Sequence, residues 1–442
     1  MILTVSRAFA DPSRAPEDAA RLAMDGRRAA LEWTAGAIRD GQRLDPLLYP
    51  PEAGLQRARS DHFDGLPGFL ADGLPDAWGL RLMARRLARQ GRRLSDLNGL
   101  EKLALVGSSG RGALAYHPAD EVALAVGALD LDRAAADAFA LLTGTDGDSS
   151  VLERAGSGSG GARPKAHVWL SPTGEARLEP FAGAAEWIVK FRGPTDPDDI
   201  GPLEAAYAAM AVAAGLDMAP VRLLPAKAGP ARFATQRFDR TPPNPQGSQA
   251  RPGVAADAAR PRSEAAQRRQ REREDSGRIH MLTLCGALEA PPGETALGYE
   301  QLLRATRAIT RNEADVAAAF ARCVFNVLAH NRDDHARQHA FLMDDAGVWR
   351  LSPAYDLTLS DGPGGEHELD ILGEARTISG AAVRRLGALH GLKPAAIEAI
   401  IDRTRAAIAD WPAFARAAGV STASQAAAAR GHARAFTDFS DG

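Results

Sequence analysis

Between His330 and His339 the chain places His330, Asp333, Asp334, His335 and His339, after an apolar helical pattern and before two short apolar runs. A solvated turn would use acids there but has no need of three histidines. Gln338 stands five residues after Asp333, the separation at which a kinase catalytic loop carries its metal-binding amide. Around this cluster, in chain order, lie a Gly-rich run (Gly156–Gly161), Lys190, Glu204 and, after the cluster, Asp356. The ordered set answers the needs of phosphoryl transfer. Glycines let backbone N–H groups approach phosphates without a Cβ in the way. A lysine on a rigid strand gives the phosphates fixed positive charge, and a helix carboxylate holds that lysine in place. One loop aspartate accepts the proton of an attacking hydroxyl, while a second aspartate and an amide ligate Mg²⁺.

Each part has an ordinary reading of its own. A Gly/Ser run is often a linker, and Gly161-Ala162-Arg163-Pro164-Lys165 lacks the Gly-Lys-Ser/Thr ending of a Walker A loop. Lys190 alone suits the solvent face of a strand, and Glu204 alone is a first-turn acid complementing a helix dipole. A rival metal reading pairs His335 with His339, four apart as on a zincin helix, with Asp333 and Asp334 as hydrolase ligands. Ala336, Arg337 and Gln338 lie between the two histidines, so the zincin general-base glutamate is missing. Nor does that reading explain the Gly-rich run or Lys190.

The elements that must position these residues are partly legible. Glu186 to Arg192 alternates, with Trp187, Val189 and Phe191 on one face and Lys190 on the other, which predicts a half-buried strand. Glu204 opens an Ala-rich helix to about Ala214, ended by Gly215. Asp315 to His330 reads as a helix with Val316, Phe320, Val324, Val327 and Leu328 on one stripe. Ala340–Met343 and Val348–Leu351 read as a hairpin turning through Asp344-Asp345-Ala346-Gly347. The stretch 380–437 is helical by composition. The first 150 residues read as mixed and strand-poor, with a helix from Leu80 to Gln90 that Asp76 can cap.

The 442 residues suggest two or three domains: 1–150, 151–285 and 286–442. Residues 241–278 contain no Leu, Ile or Phe and carry eight Arg against five acids, so they read as a disordered insert. Lys+Arg 53 against Asp+Glu 56 leaves a charge of −3, which gives no sign of a polyanion-coating protein. Gly 43 and Pro 28 exceed the roughly one-eighth of average usage. Cys285 and Cys323, the only cysteines, exclude a disulfide framework and a thiolate zinc site. The longest apolar run, Ala205 to Leu216, stops at Asp217, short of a membrane span. Acids at Asp11, Glu17 and Asp18 break up any secretory core. A cytoplasmic protein with no membrane partner is expected.

The motifs resemble the HipA family, the kinase toxins of bacterial HipBA toxin–antitoxin pairs. Phe63-Asp64-Gly65-Leu66-Pro67 through Leu74-Pro75-Asp76-Ala77-Trp78-Gly79 is similar to its N-terminal domain, and Val106-Gly107 with Gly110-Arg111-Gly112-Ala113-Leu114 to its second block. Gly160 to Lys165 resembles the phosphate loop, Trp187-Ile188-Val189-Lys190-Phe191 the ATP-lysine strand, and Glu204 with Gly215-Leu216 the helix of the N-lobe. Arg237-Phe238-Asp239-Arg240 resembles the segment after the hinge. Phe325-Asn326-Val327, Asn331 and Asp333-Asp334-His335 resemble the catalytic loop, and Leu351 to Leu357 the segment with the metal aspartate.

The resemblance implies an α+β, bilobal protein-kinase-like fold with an N-terminal mixed α/β subdomain and a mainly helical C-terminal lobe. It implies an ATP- and Mg²⁺-dependent Ser/Thr kinase. Asp333 is then the base, with His335 beside it near the phosphates; Asp356 and Gln338 are the Mg²⁺ ligands. Gly160, Gly161, Ala162, Lys165, Lys190 and Glu204 serve the nucleotide phosphates, and the backbone at Gln236 and Phe238 faces adenine. Family members autophosphorylate a serine in the Gly-rich loop, which ejects the loop; Ser157 and Ser159 are the local candidates. Expected partners are a protein substrate (an aminoacyl-tRNA synthetase or another translation factor), a small helix-turn-helix antitoxin of HipB type, and operator DNA reached through that antitoxin.

One departure stands out. The family usually has asparagine where this chain has Gln338, and the extra methylene moves the amide oxygen outward from a metal that demands octahedral geometry. It favours a second reading, a catalytically weak co-repressor or scaffold acting with a DNA-binding antitoxin.

Overall fold

The computed structural model describes residues 1–120, 128–145, 147–155, 163–241, 276–290 and 297–440. Contrary to the strand-poor expectation, the chain begins with an antiparallel sheet of order β4-β3-β2-β1-β5. Its strands are β1 (Ile2–Arg7), β2 (Glu17–Asp25), β3 (Arg28–Trp33), β4 (Leu55–Arg57) and β5 (Leu114–His117). β2 and β3 are rich in Ala, Glu and Asp, poor strand formers by type. Period-two burial decides the matter: Ala20 and Leu22 on β2, and Ala29, Leu31 and Trp33 on β3, all enter the core. Asp25 pairs with Arg28, and Gly26 between them takes φ +64°, a left-handed angle that suits a two-residue hairpin.

A second antiparallel sheet has the order β7-β6-β8-β10-β9: β6 (Lys165–Leu170), β7 (Ala176–Arg177), β8 (Ala185–Lys190), β9 (Val221–Leu224) and β10 (Arg232–Gln236). One of its faces is closed by the helices Ala77–Arg89, Leu131–Thr143 and Ser150–Ala155 through Trp78, Leu82, Ala138, Leu141 and Leu152. Trp187, Val189 and Phe191 belong to that core, as the alternation requires. The helix Ile200–Ala213 supplies Glu204 to Lys190 on the opposite side of β8. It begins at Ile200, four residues before Glu204, with Pro202 accommodated in its first turn. Gly215 follows it at φ +86°.

The third sheet is β11 (His280–Thr283), β12 (Ala340–Met343) and β13 (Trp349–Leu351), in that order. The Asp344–Gly347 hairpin closes as expected: the Asp344 carboxylate accepts from the Ala346 and Val348 N–H groups. The helix Glu313–Leu328 packs Val316, Phe320 and Val324 into the main core, and the chain ends in the helices Gly380–Leu389, Pro394–Ala409, Trp411–Ala418 and Thr422–Ser440. β11 comes from before residue 285, so the helical lobe draws an edge strand from the segment that precedes it. Most of the expected insert lies outside the described residues, but its ends are fixed. Thr241 donates through N to the Gly277 carbonyl, and Arg278 donates to the carbonyls of Gly110, Gly112 and Leu114. Among the described residues no helix is long and apolar enough to cross a membrane.

Candidate active site

Lys190, the last residue of β8, is nearly buried, and its ammonium donates to Glu204 Oε2 at 2.9 Å and to Asp356 Oδ1. Glu204 is 3% exposed and also accepts from the Arg163 guanidinium, which in turn contacts Asp196 at 3.0 Å. Strand, helix and the loop after β13 therefore meet at one nitrogen. Burial pulls the Lys190 ammonium down from its ordinary value, and Asp356 opposes that shift. Burial by itself would raise Asp356, but Lys190, then Lys165 and Arg163, hold it well below the ordinary carboxylate range. Asp356 is thus a charged carboxylate at neutral pH, in a backbone conformation (φ +56°) that aspartate tolerates better than most residues. An ionised carboxylate beside a fixed ammonium is a chemical environment that suits a Mg²⁺-bound polyphosphate.

Asp333 lies across from this group on the loop after the helix Glu313–Leu328, its side chain half-exposed. Burial lifts its carboxyl above the ordinary value; His335 opposes the shift, and the charges of Asp356 and Asp334 add to it. A partly exposed carboxylate of raised basicity is suited to accept a hydroxyl proton. His335 caps the short turn Ala336–Gln338: its Nδ1 accepts from the Arg337 N–H at 3.2 Å. In the neutral ring the proton is then on Nε2, the nitrogen 3.8 Å from Asp333 Oδ1.

Two family models match, the HipA N-terminal domain over residues 15–117 and the HipA-like C-terminal domain over residues 157–411. The chain belongs to the HipA family. Its fold matches a chain of the complex of HipA, HipB and operator DNA from the toxin–antitoxin system of Shewanella oneidensis MR-1, with TM-score 0.65, 16% identity and coverage of 99% of this chain and 96% of that one. A looser likeness is to CtkA, a proinflammatory kinase of Helicobacter pylori, with TM-score 0.36 and 14% identity over 63% of this chain and 94% of that one. Among curated proteins, Y4mE of Sinorhizobium fredii, named as a kinase, is 28% identical over 181 residues, which is 38% of this chain. The chain spans 33% of that relative's length.

The HipA-type bilobal arrangement brings Lys190, Glu204, Asp356, Asp333 and His335 together. The expected phosphate-loop residues Gly160, Gly161 and Ala162, and the serines Ser157 and Ser159, lie outside the described residues. Lys165 faces Lys190 across β6 and β8, but it is 2% exposed and its ammonium is 2.9 Å from Asp76. It therefore ties the sheet to the N-cap of the helix Ala77–Arg89, and it reaches the site through its charge on Asp356. Gln236 ends β10 and gives its N–H to the Pro220 carbonyl at 2.9 Å, and Pro220 has no N–H to give back to the Gln236 carbonyl. The Phe238 ring packs 5.5 Å from that of Tyr355, next to Asp356. Gln338 is buried at the end of the Ala336–Gln338 turn.

The zincin pairing does not form. Ala336–Gln338 is a tight 3₁₀ turn, so His335 and His339 share no α-helical face, and His339 is buried edge-on to Tyr299. Among the described residues no group of three or more His, Cys, Asp or Glu could hold a metal ion together. Sequence reasoning missed Arg163 as a partner of Glu204, although it adjoins the Gly-rich run. It also missed Asp76 as the partner of Lys165, and His367 and Tyr299 as partners of Asp334.

Proposed function

We propose that this HipA-family protein is an ATP- and Mg²⁺-dependent kinase that phosphorylates serine or threonine hydroxyls of a protein substrate. One observation carries the reading: the Lys190 ammonium is shared by Glu204 and Asp356 while Asp333 stands beside Asp356 with its basicity raised. In this reading Lys190 and Arg163 bind the nucleotide phosphates, and Glu204 keeps Lys190 aimed when Asp356 turns to the metal. Asp333 takes the hydroxyl proton, with His335 Nε2–H beside it. Asp356 and Gln338 would hold Mg²⁺, which when bound would neutralise phosphate charge. Ser157 and Ser159 are proposed autophosphorylation sites, where about two added negative charges would oppose ATP phosphates. An aminoacyl-tRNA synthetase or another translation factor is the proposed substrate class. A small helix-turn-helix antitoxin is the proposed partner, with operator DNA bound through it; the solved HipA relative in complex with HipB and operator DNA supports this.

The deciding experiment uses γ-labelled ATP with Mg²⁺, comparing the wild-type chain with Asp333→Ala. Equal labelling of protein by the two would discard the kinase reading. Gln338 favours the second reading, a weak enzyme retained as a co-repressor. Gln338→Asn is expected to lower the Mg²⁺ needed for half-maximal labelling by about tenfold, the low end of what ligand-orienting changes cost metal sites. An unchanged Mg²⁺ dependence in a titration of both proteins would remove Gln338 from the metal site.

A further inference from the structure

Asp334 follows the proposed base and points the other way. Its carboxylate is wholly buried and accepts three hydrogen bonds: from the Tyr299 hydroxyl at 2.7 Å, His367 Nδ1 at 2.8 Å and the Glu368 N–H at 2.9 Å. Tyr299 is itself fixed from both sides. Its hydroxyl accepts from Asn326 Nδ2 at 2.9 Å, and Asn326 Oδ1 accepts from Asn331 Nδ2 at 2.9 Å. Its N–H donates to the Asp370 carbonyl at 2.8 Å.

The neighbours of Asp334 grip the same stretch of chain. His330 Nε2 lies 2.9 Å from Asp361, and Ser360 N–H donates to the His330 carbonyl at 3.1 Å. Arg332 donates NH1 to the Gly365 carbonyl at 2.5 Å and NH2 to the Arg376 carbonyl at 3.0 Å. Residues 360–376 follow Asp356, and Glu368 lies near enough to His335 and Asp333 for both to act on its charge. In protein kinases the arginine before the base belongs to the H-R-D catalytic loop, and activation loops are commonly ordered by new arginine–phosphate pairs. Here that arginine is engaged by the Gly365 and Arg376 carbonyls and lies 3.9 Å from Asp438. The carboxylate after the base holds the segment separately, through His367 and the Glu368 N–H.

We propose that Asp334 is a positioning residue: with Tyr299 and His367 it clamps segment 360–376 to the catalytic loop, so that Asp333 faces the acceptor hydroxyl with no phosphorylation of that segment. The inference rests on the reading of Asp333 as the base. Three acceptor contacts on one buried carboxylate leave it a single orientation, and a displacement of about 1 Å at a reacting group can cost 10²-fold.

The test uses the full chain, γ-labelled ATP–Mg²⁺ and an acceptor protein. Asp334→Asn sets an amide N–H against donors that need an acceptor. It is expected to lower kcat by about 10²-fold while KM for ATP stays within about threefold. His367→Phe is expected to slow transfer by about tenfold, and His367→Asn, which can keep a donor where Nδ1 stands, to lose no more than about threefold. A structural role alone would not give that rescue or that split between kcat and KM. Wild-type kcat in both Asp334→Asn and His367→Phe would overturn the proposal, as would equal losses in the two His367 variants. If Asp334→Asn does not fold, the His367 pair decides. If the wild type transfers no label, the reading of the base fails by itself. The clamp is then judged by hydrogen exchange: residues 360–376 should exchange at least about tenfold faster in His367→Phe, and unchanged protection overturns it.

Discussion

Asp239→Ala is expected to cost about 3–5 kcal/mol of folding stability, the penalty for breaking a buried ion pair from one side. Asp239 is 5% exposed and sits two residues after Arg237. Its carboxylate accepts from Arg237 Nε at 2.9 Å and NH2 at 2.7 Å, from Arg240 NH1 at 2.8 Å and from the Gly112 N–H at 2.8 Å. Glu186 takes the other side of Arg237 at 2.5 Å and of Arg240 at 3.1 Å. Arg278 joins the group by donating to the carbonyls of Gly110, Gly112 and Leu114, and burial, then Arg240 and Arg237, push it down to about 9. Without Asp239, Arg237 and Arg240 would lose a carboxylate that both share, and the Gly112 N–H would lose its acceptor. Gly110 and Gly112 lie just before β5 of the first sheet and Arg237 follows β10 of the second, so the loss should loosen the tie between these two segments as well as the fold.

The same group sets a pH dependence. Burial alone would raise Asp239, but Arg237 and Arg240 hold it far below its ordinary value of 3.8. A carboxyl depressed in the folded state contributes its stability fully above the unfolded value and loses it as pH falls toward the folded one. The wild-type advantage over Asp239→Ala in urea melts should therefore persist from neutral pH to about 5 and shrink below about 4. A difference under 1 kcal/mol at pH 7, or one that grows on acidification, would refute this account.

This cluster also marks where the sequence stops being legible. The β8 alternation, the helix stripe before His330 and the Asp344–Gly347 turn are local patterns, and local spacing reports them faithfully. Lys190, Glu204, Asp333 and Asp356 could be read as a set because each stands on or beside such an element. The first sheet could not, because Ala, Glu and Asp carry its central strands and only partner strands reveal which face is buried. Arg278 reads as the end of a charged insert, yet it is half-buried and bonded to the carbonyls of Gly110, Gly112 and Leu114, more than 160 residues away in sequence. Asp334 was visible as an acid beside an acid. Its partner His367, 33 residues on, follows no periodic pattern that would single it out. Long-range polar pairing leaves no local trace.

Asp333→Ala is expected to abolish most phosphate transfer and to leave the fold intact, and the combination matters more than either result. A positioned general base is worth about 10²–10⁴-fold, so label incorporation should fall by that factor. Stability should hold, because Asp333 is an unfavourable charge in the resting protein. Its side chain is half-exposed, the histidine beside it is 3.8 Å away, and Asp356 and Asp334 both repel it. Removing the carboxyl relieves that repulsion, so the melting temperature should equal or exceed that of the wild type, the usual trade of stability for activity at a functional site. ATP–Mg²⁺ should still raise the melting temperature, since Lys190, Glu204 and Asp356 remain. Lys190→Met should behave in the opposite way. It leaves Glu204 and Asp356 without their shared ammonium, so both nucleotide stabilisation and the intrinsic melting temperature should drop along with transfer. Asp333→Ala retaining more than about a tenth of wild-type transfer would place the base elsewhere; a large fall in its melting temperature would make Asp333 part of the scaffold.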